Sequence, residues 1–406
     1  MRVNKLTALL LSLAFLGCNK DKDPTPSPKV EVKDITFNFR LDPMPAATEK
    51  FELIVSQKDG EVLLDTLLAP RTAHALSLKS ADDKFNITTI YSDPATNKYA
   101  LRTYIQVNPD NWHIDENISY SEWGETERAT IHYTNAPYWD GIQFTGKQGG
   151  TFGATYSGGS IILKYQRLLP TDLTYLLLPE SGKYIFAEIT SPETHVDFSH
   201  ASTAVKRRYT KPAGATDFIS ILFGYTKAGD YRKTMTLTLS GPGSDYDLQF
   251  PTTMIEEFET RLLYTDAEGY RHTYVHNGAT VPTEMPFIAK SDFTVTKYEA
   301  NDFQIKFGEN KPNSYTMVWN SEDTNLDGKW NIYLSAAETA FKPKDFLEKL
   351  NAKSLKGKSL AGLSLNSLTS YQAKDYTHQS MQDYYNTPEL YLKKALREYR
   401  TIQRYY

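Results

Sequence analysis

Cysteine is almost missing from this chain: Cys18 is the single one in 406 residues. The rest of the chain therefore holds no disulfide and no thiolate metal site, and a cysteine–histidine catalytic pair is excluded. Long apolar runs are also missing. Beyond the N-terminus no stretch reaches the ~18 residues that a second membrane-spanning helix needs. Charge of one sign is not concentrated anywhere: 45 Lys and Arg stand against 49 Asp and Glu, a net charge of −4. Without a basic stripe, nucleic acid is not an expected partner. The Gly-x-Ser-x-Gly elbow that presents a nucleophilic serine is absent, and no repeat of short fixed period stands out. What the chain has in plenty is aromatic rings, with 28 Tyr, 19 Phe and 5 Trp. Tyrosine suits half-buried strand positions and wet binding faces alike, so the count by itself decides between neither.

The N-terminus reads in three parts. Arg2 and Lys5 are positive, Leu6 to Leu16 is apolar apart from Thr7 and Ser12, and Gly17 and Cys18 follow. A run of about 11 residues is too short to cross a ~30 Å hydrocarbon core and suits the apolar region of an export signal. No Ala-x-Ala-like cleavage site follows it. Phe15-Leu16-Gly17-Cys18 instead resembles the lipobox of bacterial lipoproteins, with Phe15 where that family usually carries Leu. The resemblance implies a signal peptide over 1–17 and acylation of Cys18, and several acyl chains anchor a protein to a membrane firmly. Residues 18–32 carry Asn19 to Asp23 and then Pro24, Pro26 and Pro28, a polar tether of semi-rigid type. Acidic residues just after the cysteine resemble the surface-export signal of Bacteroidota lipoproteins. That implies an outer-membrane, lipid-anchored protein displayed at the cell surface, with a periplasm-facing anchor as the alternative.

The remaining sequence predicts a mainly β fold: two or three antiparallel, Ig-like β-sandwich domains followed by a short α-helical C-terminal region. Ile35 to Leu41, Phe51 to Val55 and Asn86 to Tyr91 alternate with period two, the mark of strands with one solvated face. Asp59-Gly60 is a hairpin turn. These strands define a first domain over 33–138. A second, 139–256, contains Gly149-Gly150 and Gly158-Gly159, read as hairpin turns because strand-like Ser160 to Tyr165 follows rather than a phosphate-binding helix. Phe218 to Phe223 and Met235 to Leu239 continue it. Residues 257–340 add the strands Phe293 to Tyr298, Phe303 to Phe307 and Ser314 to Trp319, either as a third domain or as part of the second. In 341–406, Pro343 opens a helix to Leu350, Lys353 to Ser370 reads as loop, and Thr387-Pro388-Glu389 opens a terminal helix. Leu392, Ala395, Leu396 and Tyr399 form its apolar stripe, packed on the last β domain or offered to a partner.

Three groups of residues carry candidate chemistry. Asp323-Thr324-Asn325-Leu326-Asp327-Gly328 resembles the first half of an EF-hand-type loop, which implies Ca2+ bound by Asp323, Asn325 and Asp327. Position 12 of that pattern is Leu334, and Glu322 or Glu338 would have to substitute; the alternative is a hairpin turn between strands bearing Trp319 and Trp330. His195-Val196-Asp197-Phe198-Ser199-His200 and His272-Thr273-Tyr274-Val275-His276 have short polar spacing. In strands, His195 and Asp197 would share a face, as would His272 and His276, but nothing joins the two segments and they match no metal motif, so they read as solvated strand faces, with a transition-metal site as the alternative. Glu122, Glu125 and Glu127 form the tightest acidic group, which reads as a solvated loop. The last group is aromatic: Trp112, His113, Tyr120, Trp123, Tyr133, Tyr138 and Trp139, interleaved with Asn111, Asp115, Glu116, Asn117, Asn135 and Asp140. Flat rings beside amides and carboxylates suit sugar recognition, and the same rings suit the packed junction of two domains.

The expectation is a non-catalytic, surface-displayed lipoprotein that binds an extracellular ligand such as a glycan. Trp112, Trp123, Tyr138 and Trp139 are the candidate contacts. A structural or adhesion subunit contacting other envelope proteins is the first alternative, and a hydrolase with unrecognised carboxylates the second.

Overall fold

The computed structural model describes residues 32–406 apart from 44–48, 94, 119–123, 147–151, 241–246, 285–292 and 324–325. The export signal, Cys18 and the tether up to residue 31 lie outside the described residues, as do Tyr120, Trp123, Asn325 and the Gly149-Gly150 pair. Among the described residues no helix is long and apolar enough to cross a membrane.

The chain is mainly β, with 28 strands and three short α-helices among the described residues. Local alternation explains most strands. In Lys33–Asp42 the rings of Phe37 and Phe39 and the side chain of Leu41 are buried while Thr36 and Asn38 are exposed, so one face of the strand is core and the other wet. Gly60 adopts φ +92° in the turn after Phe51–Ser56, and Gly158 and Gly159 adopt +57° and +79° between Gly153–Ser157 and Ser160–Leu168. Both turns need the left-handed region that glycine enters without a Cβ clash.

The strands form several sheets in a sandwich-like arrangement around a twelve-stranded one. From one edge to the other that sheet runs Thr234–Ser240, Thr216–Tyr225, Glu257–Thr265, Arg271–Gly278, Glu398–Tyr405, Ser364–Ala373, Ser314–Asp323, Leu326–Ser335, Lys98–Val107, Phe85–Asp93, Phe51–Ser56 and Val62–Leu68. Its members come from all four sequence segments, so hydrogen bonding does not stop at residues 138, 256 or 340. The join is the parallel pairing of Lys98–Val107 with Leu326–Ser335, in which Leu101 faces Trp330 and Tyr104 faces Tyr333.

Smaller layers cover this sheet. Strands Phe293–Glu299 and Asp302–Phe307 and the helix Pro343–Leu350 close a core around Trp319, Trp330, Phe303 and Phe346. The sheet of Lys33–Asp42, His74–Ser80 and Asn111–Asp115 covers the Phe51, Phe85 and Val107 end. Tyr175, Tyr184 and Leu248 cover the opposite end around Leu222 and Leu237. A further pair of four-stranded sheets encloses Ile131, Ile161, Leu163 and Leu176.

The C-terminal region departs from the sequence reading. Ser364–Ala373 is a strand, although the sequence reads as loop up to Ser370. The terminal helix starts at Pro388 as expected but ends at Leu392; Glu398–Tyr405 is then a strand between Arg271–Gly278 and Ser364–Ala373. Its neighbours offer two open ladders, and two rows of backbone hydrogen bonds outweigh the weak helical stripe. The stretch 341–406 is therefore mixed, and its last strand lies inside the main sheet, not on a free helix. The Pro343–Leu350 helix stands as expected.

Candidate functional site

The face of the main sheet opposite the Trp319 and Trp330 core is polar and rich in tyrosine. Period two puts Leu101 and Ile105 into the core and sends Arg102 and Tyr104 the other way. On the neighbouring strands the same rule presents Tyr333, Ser314 and Thr316, and Tyr371. A helix missed in the sequence, His378–Asn386, crosses over this face. Thr377 opens it with a capping box: its hydroxyl accepts from the Ser380 amide at 3.1 Å, and Ser380 Oγ accepts from the Thr377 amide at 2.7 Å.

Helix and sheet do not close on each other. They leave a cavity of about 440 Å3, walled by Arg102, Tyr104, Ser314, Thr316, Tyr333 and Tyr371 below. Met381, Gln382, Tyr385 and Asn386 wall it above, and Ile114, Asp115 and Glu116 from the end of the Asn111–Asp115 strand wall it at the side. That volume is within the ~300–1,000 Å3 of small-molecule sites. Polar side chains hold the helix at its distance. The Tyr104 hydroxyl donates to Asn386 Oδ1 at 2.9 Å, Gln382 Nε2 donates to Ser314 Oγ at 3.1 Å, and Gln379 and Asn108 exchange two bonds at 2.7 and 2.9 Å. The Gln382 amide oxygen, on a side chain only 2% exposed, meets no hydrogen-bond partner. An orphan buried acceptor on a cavity wall is a place for a ligand hydroxyl or a water.

The charges inside are matched. Arg102 is ion-paired with Glu116, which also accepts from the Tyr91 hydroxyl. Burial opposes charge on the Arg102 guanidinium, but the oxygens of Tyr333, Tyr104 and Glu116 raise its pKa overall, so it stays protonated. Burial raises the pKa of Tyr104, Tyr371 and Tyr385. All three therefore keep their hydroxyl proton and act as neutral donors and acceptors. His378, at the start of the helix, is pushed down to about 4 by burial. It is neutral, with Nε2 donating to the Ile105 carbonyl at 3.2 Å and Nδ1 accepting from Ser314 Oγ at 3.0 Å.

Neither protein-family models nor curated proteins match this sequence.

Most of the residues singled out in the sequence lie elsewhere. Trp112 is 3% exposed, edge-on to Tyr104, and donates through its indole to Asp383 at 3.3 Å; it supports the helix and presents no face to solvent. Trp139 packs against the Ile131 and Leu176 core. Tyr138 is 74% exposed and meets Tyr156 edge to face. The three described candidates are therefore not one platform. Asp115 and Glu116, interleaved with them in sequence, do reach the cavity.

The Asp323 segment is a hairpin. Asp323 pairs with Leu326, Glu322 with Asp327, and Trp319 with Trp330, while Asp327 lies 3.9 Å from the Lys98 ammonium. The strand ladder continues through Gly328, where a helix–loop–helix calcium site would have left the backbone free to wrap the ion. Glu338 pairs with Lys58 at 3.2 Å.

Of the histidines, His272 is buried against Tyr264 with its Nε2 2.8 Å from Asp266, so it is a core residue and not a solvated one. His276 is half-buried on the same strand. His195 is exposed, as expected, but stacks on His132. Asp197 caps the turn Phe198–His200 and accepts from Asn135 at 3.0 Å. Glu127 is paired with Arg167, Glu125 is an exposed loop residue, and Glu122 lies outside the described residues.

Proposed function

We propose that this chain is a cell-envelope lipoprotein, anchored through Cys18 in the outer membrane and displayed at the surface, that binds a glycan without cleaving it. The observation that carries the binding reading is the cavity between the His378–Asn386 helix and the sheet, where Tyr104, Tyr333, Tyr371 and Tyr385 surround a space of about 440 Å3. Sugars present C–H faces that pack on aromatic rings and hydroxyls that need donors and acceptors in alternation. The neutral tyrosine hydroxyls, the Gln382 oxygen and the Asp115 carboxylate supply both kinds. A strongly anionic ligand is disfavoured, because Arg102 already has Glu116 as its partner.

The same pairing supports binding over hydrolysis. A glycosidase needs two carboxylates, one of them a proton donor and the other a nucleophile or base. Here Glu116 is tied to Arg102 and Tyr91, which leaves it occupied.

Probing a glycan array with the fluorescently labelled protein tests the reading. Retention of a defined sugar class, lost in Tyr333→Ala, is expected. Retention that Tyr333→Ala leaves intact, or none at all, contradicts it.

A further inference from the structure

We propose that His132, His195 and Glu193 form a binding site for one divalent transition-metal ion of the zinc type. The site is separate from the cavity and does not rest on the glycan reading.

Strands Thr126–Thr134 and Glu193–Asp197 pair in parallel, with His132 directly beside His195. In-register neighbours on parallel strands leave the same face of the sheet. The two imidazoles accordingly stack, centroids 4.7 Å apart and planes 16° from parallel. Glu193, two residues before His195, shares that face and turns its carboxylate across both rings. Its Oε1 lies 3.5 Å from His132 Nε2 and 4.0 Å from His195 Nε2, and the ligand atoms of the three residues all fall within 4.8 Å of one another.

Tetrahedral zinc with bonds of ~2.0–2.2 Å places its ligand atoms about 3.4 Å apart. Small rotations about side-chain bonds supply the difference, and two of the three side chains are free to make them. His195 and Glu193 are 68% and 69% exposed, while His132 is 25% exposed and fixes the position. Two imidazoles and one carboxylate suit zinc, copper or nickel and not the all-oxygen preference of calcium or magnesium. Water completes the coordination on the open side.

Glu193–Asp197 is the last strand of its four-stranded sheet. An ion held by one ligand of the inner strand and two of the outer strand would tie that edge down.

The sequence could not show this pair. His132 and His195 are far apart along the chain, and only the parallel register unites them.

The test is a titration of the tag-free chain with Zn2+ against a chromophoric competing chelator, at about pH 7.5, where an ordinary imidazole is neutral. The expected result is one ion per chain with Kd tighter than about 10 µM. His195→Ala should weaken it on the order of 10- to 100-fold. Because His195 is exposed, its far-UV spectrum and metal-free melting curve should match those of the parent. With Cu2+ in place of Zn2+, the spin-resonance spectrum should carry two nitrogen couplings, reduced to one in the variant. His113→Ala serves as the control: its cluster with Asp42 and Asp115 already holds Arg40, 2.8 Å from Asp42, and binding should be unchanged. A Kd weaker than that limit, or a His195→Ala variant that titrates like the parent, would show an ion pair only and overturn the proposal.

Discussion

Tyr104 and Tyr333 stack with ring centroids 4.6 Å apart and planes 7° from parallel. They come from strands paired in parallel, and their register places the two residues directly side by side. Antiparallel neighbours follow from short turns, but this pair depends on a pairing that spans much of the chain. Both rings line the cavity, and Tyr104 also fastens the helix above through Asn386.

Trp112 and Tyr138 separate support from surface. Trp112→Ala removes a buried ring and the bond to Asp383, and about 3–5 kcal/mol of stability should be lost. Tyr138→Ala should change stability by less than about 0.5 kcal/mol and leave ligand binding untouched. Urea unfolding of the two variants checks both; equal losses would mean that the exposed ring is also held by packing.

A buried ion pair fixes the segment after the Pro388–Leu392 helix. Glu259, 0% exposed, pairs with Lys394 and Arg261 and accepts from the Tyr225 hydroxyl at 2.8 Å. Burial disfavours the charged carboxyl, yet Lys394 and Arg261 bring its pKa below the ordinary value. Lys394→Met leaves this buried charge with Arg261 alone and should cost up to about 3 kcal/mol. Adding Glu259→Gln should restore more than half of the loss, a coupling read from a double-mutant cycle in guanidinium. Additive losses would show that the two side chains act independently.

His378 gives the fold an acid-sensitive joint. Its folded pKa of about 4 lies below the unfolded value near 6.5, so between those values the unfolded chain binds the extra proton. Its contribution is complete above about pH 6.5 and is lost as pH falls towards 4, by up to about 3 kcal/mol at ~1.36 kcal/mol per unit. His378→Gln should remove that part of the pH dependence. The comparison is the parent-minus-variant difference in unfolding free energy across that range, and a difference independent of pH would refute it.

The Asp323 hairpin should be indifferent to calcium. Adding millimolar Ca2+ or a chelator is expected to leave the melting temperature unchanged, because the turn is closed by its own ladder. An increase of several degrees with Ca2+, lost in Asp327→Asn, would restore the ion-binding reading.

The legible parts of the fold were those written locally. Phe37, Phe39 and Leu41 announce a strand by alternation, Asp59-Gly60 and Gly158-Gly159 announce turns, and Pro343 announces a helix. Pairing is not local, so nothing in the sequence placed Tyr104 beside Tyr333 or His132 beside His195. Glu398–Tyr405 misled because its strand state comes from neighbours on both sides, while Leu392, Ala395, Leu396 and Tyr399 imitate a helical stripe. The helix over the cavity did carry a signal: Thr377 and Ser380 have the spacing of a capping pair. For the site, Asp115 and Glu116 reach the cavity wall, while the tyrosine count by itself decided nothing. Trp112 misled, because buried and ligand-facing indoles look alike in sequence.

The central claim is that a glycan sits in the cavity against Tyr333, which the buried Tyr104 ring supports from behind, beneath the His378–Asn386 helix. Calorimetric titration of the parent, Tyr333→Ala and Tyr138→Ala with the oligosaccharide retained on the array tests it most directly. The account predicts that Tyr333→Ala weakens binding on the order of tenfold or more, since a central aromatic contact carries ~1.4 kcal/mol or above, and that Tyr138→Ala binds like the parent. The reverse pattern, with Tyr138→Ala impaired and Tyr333→Ala unaffected, would contradict it and move the ligand to the exposed surface beside Tyr156.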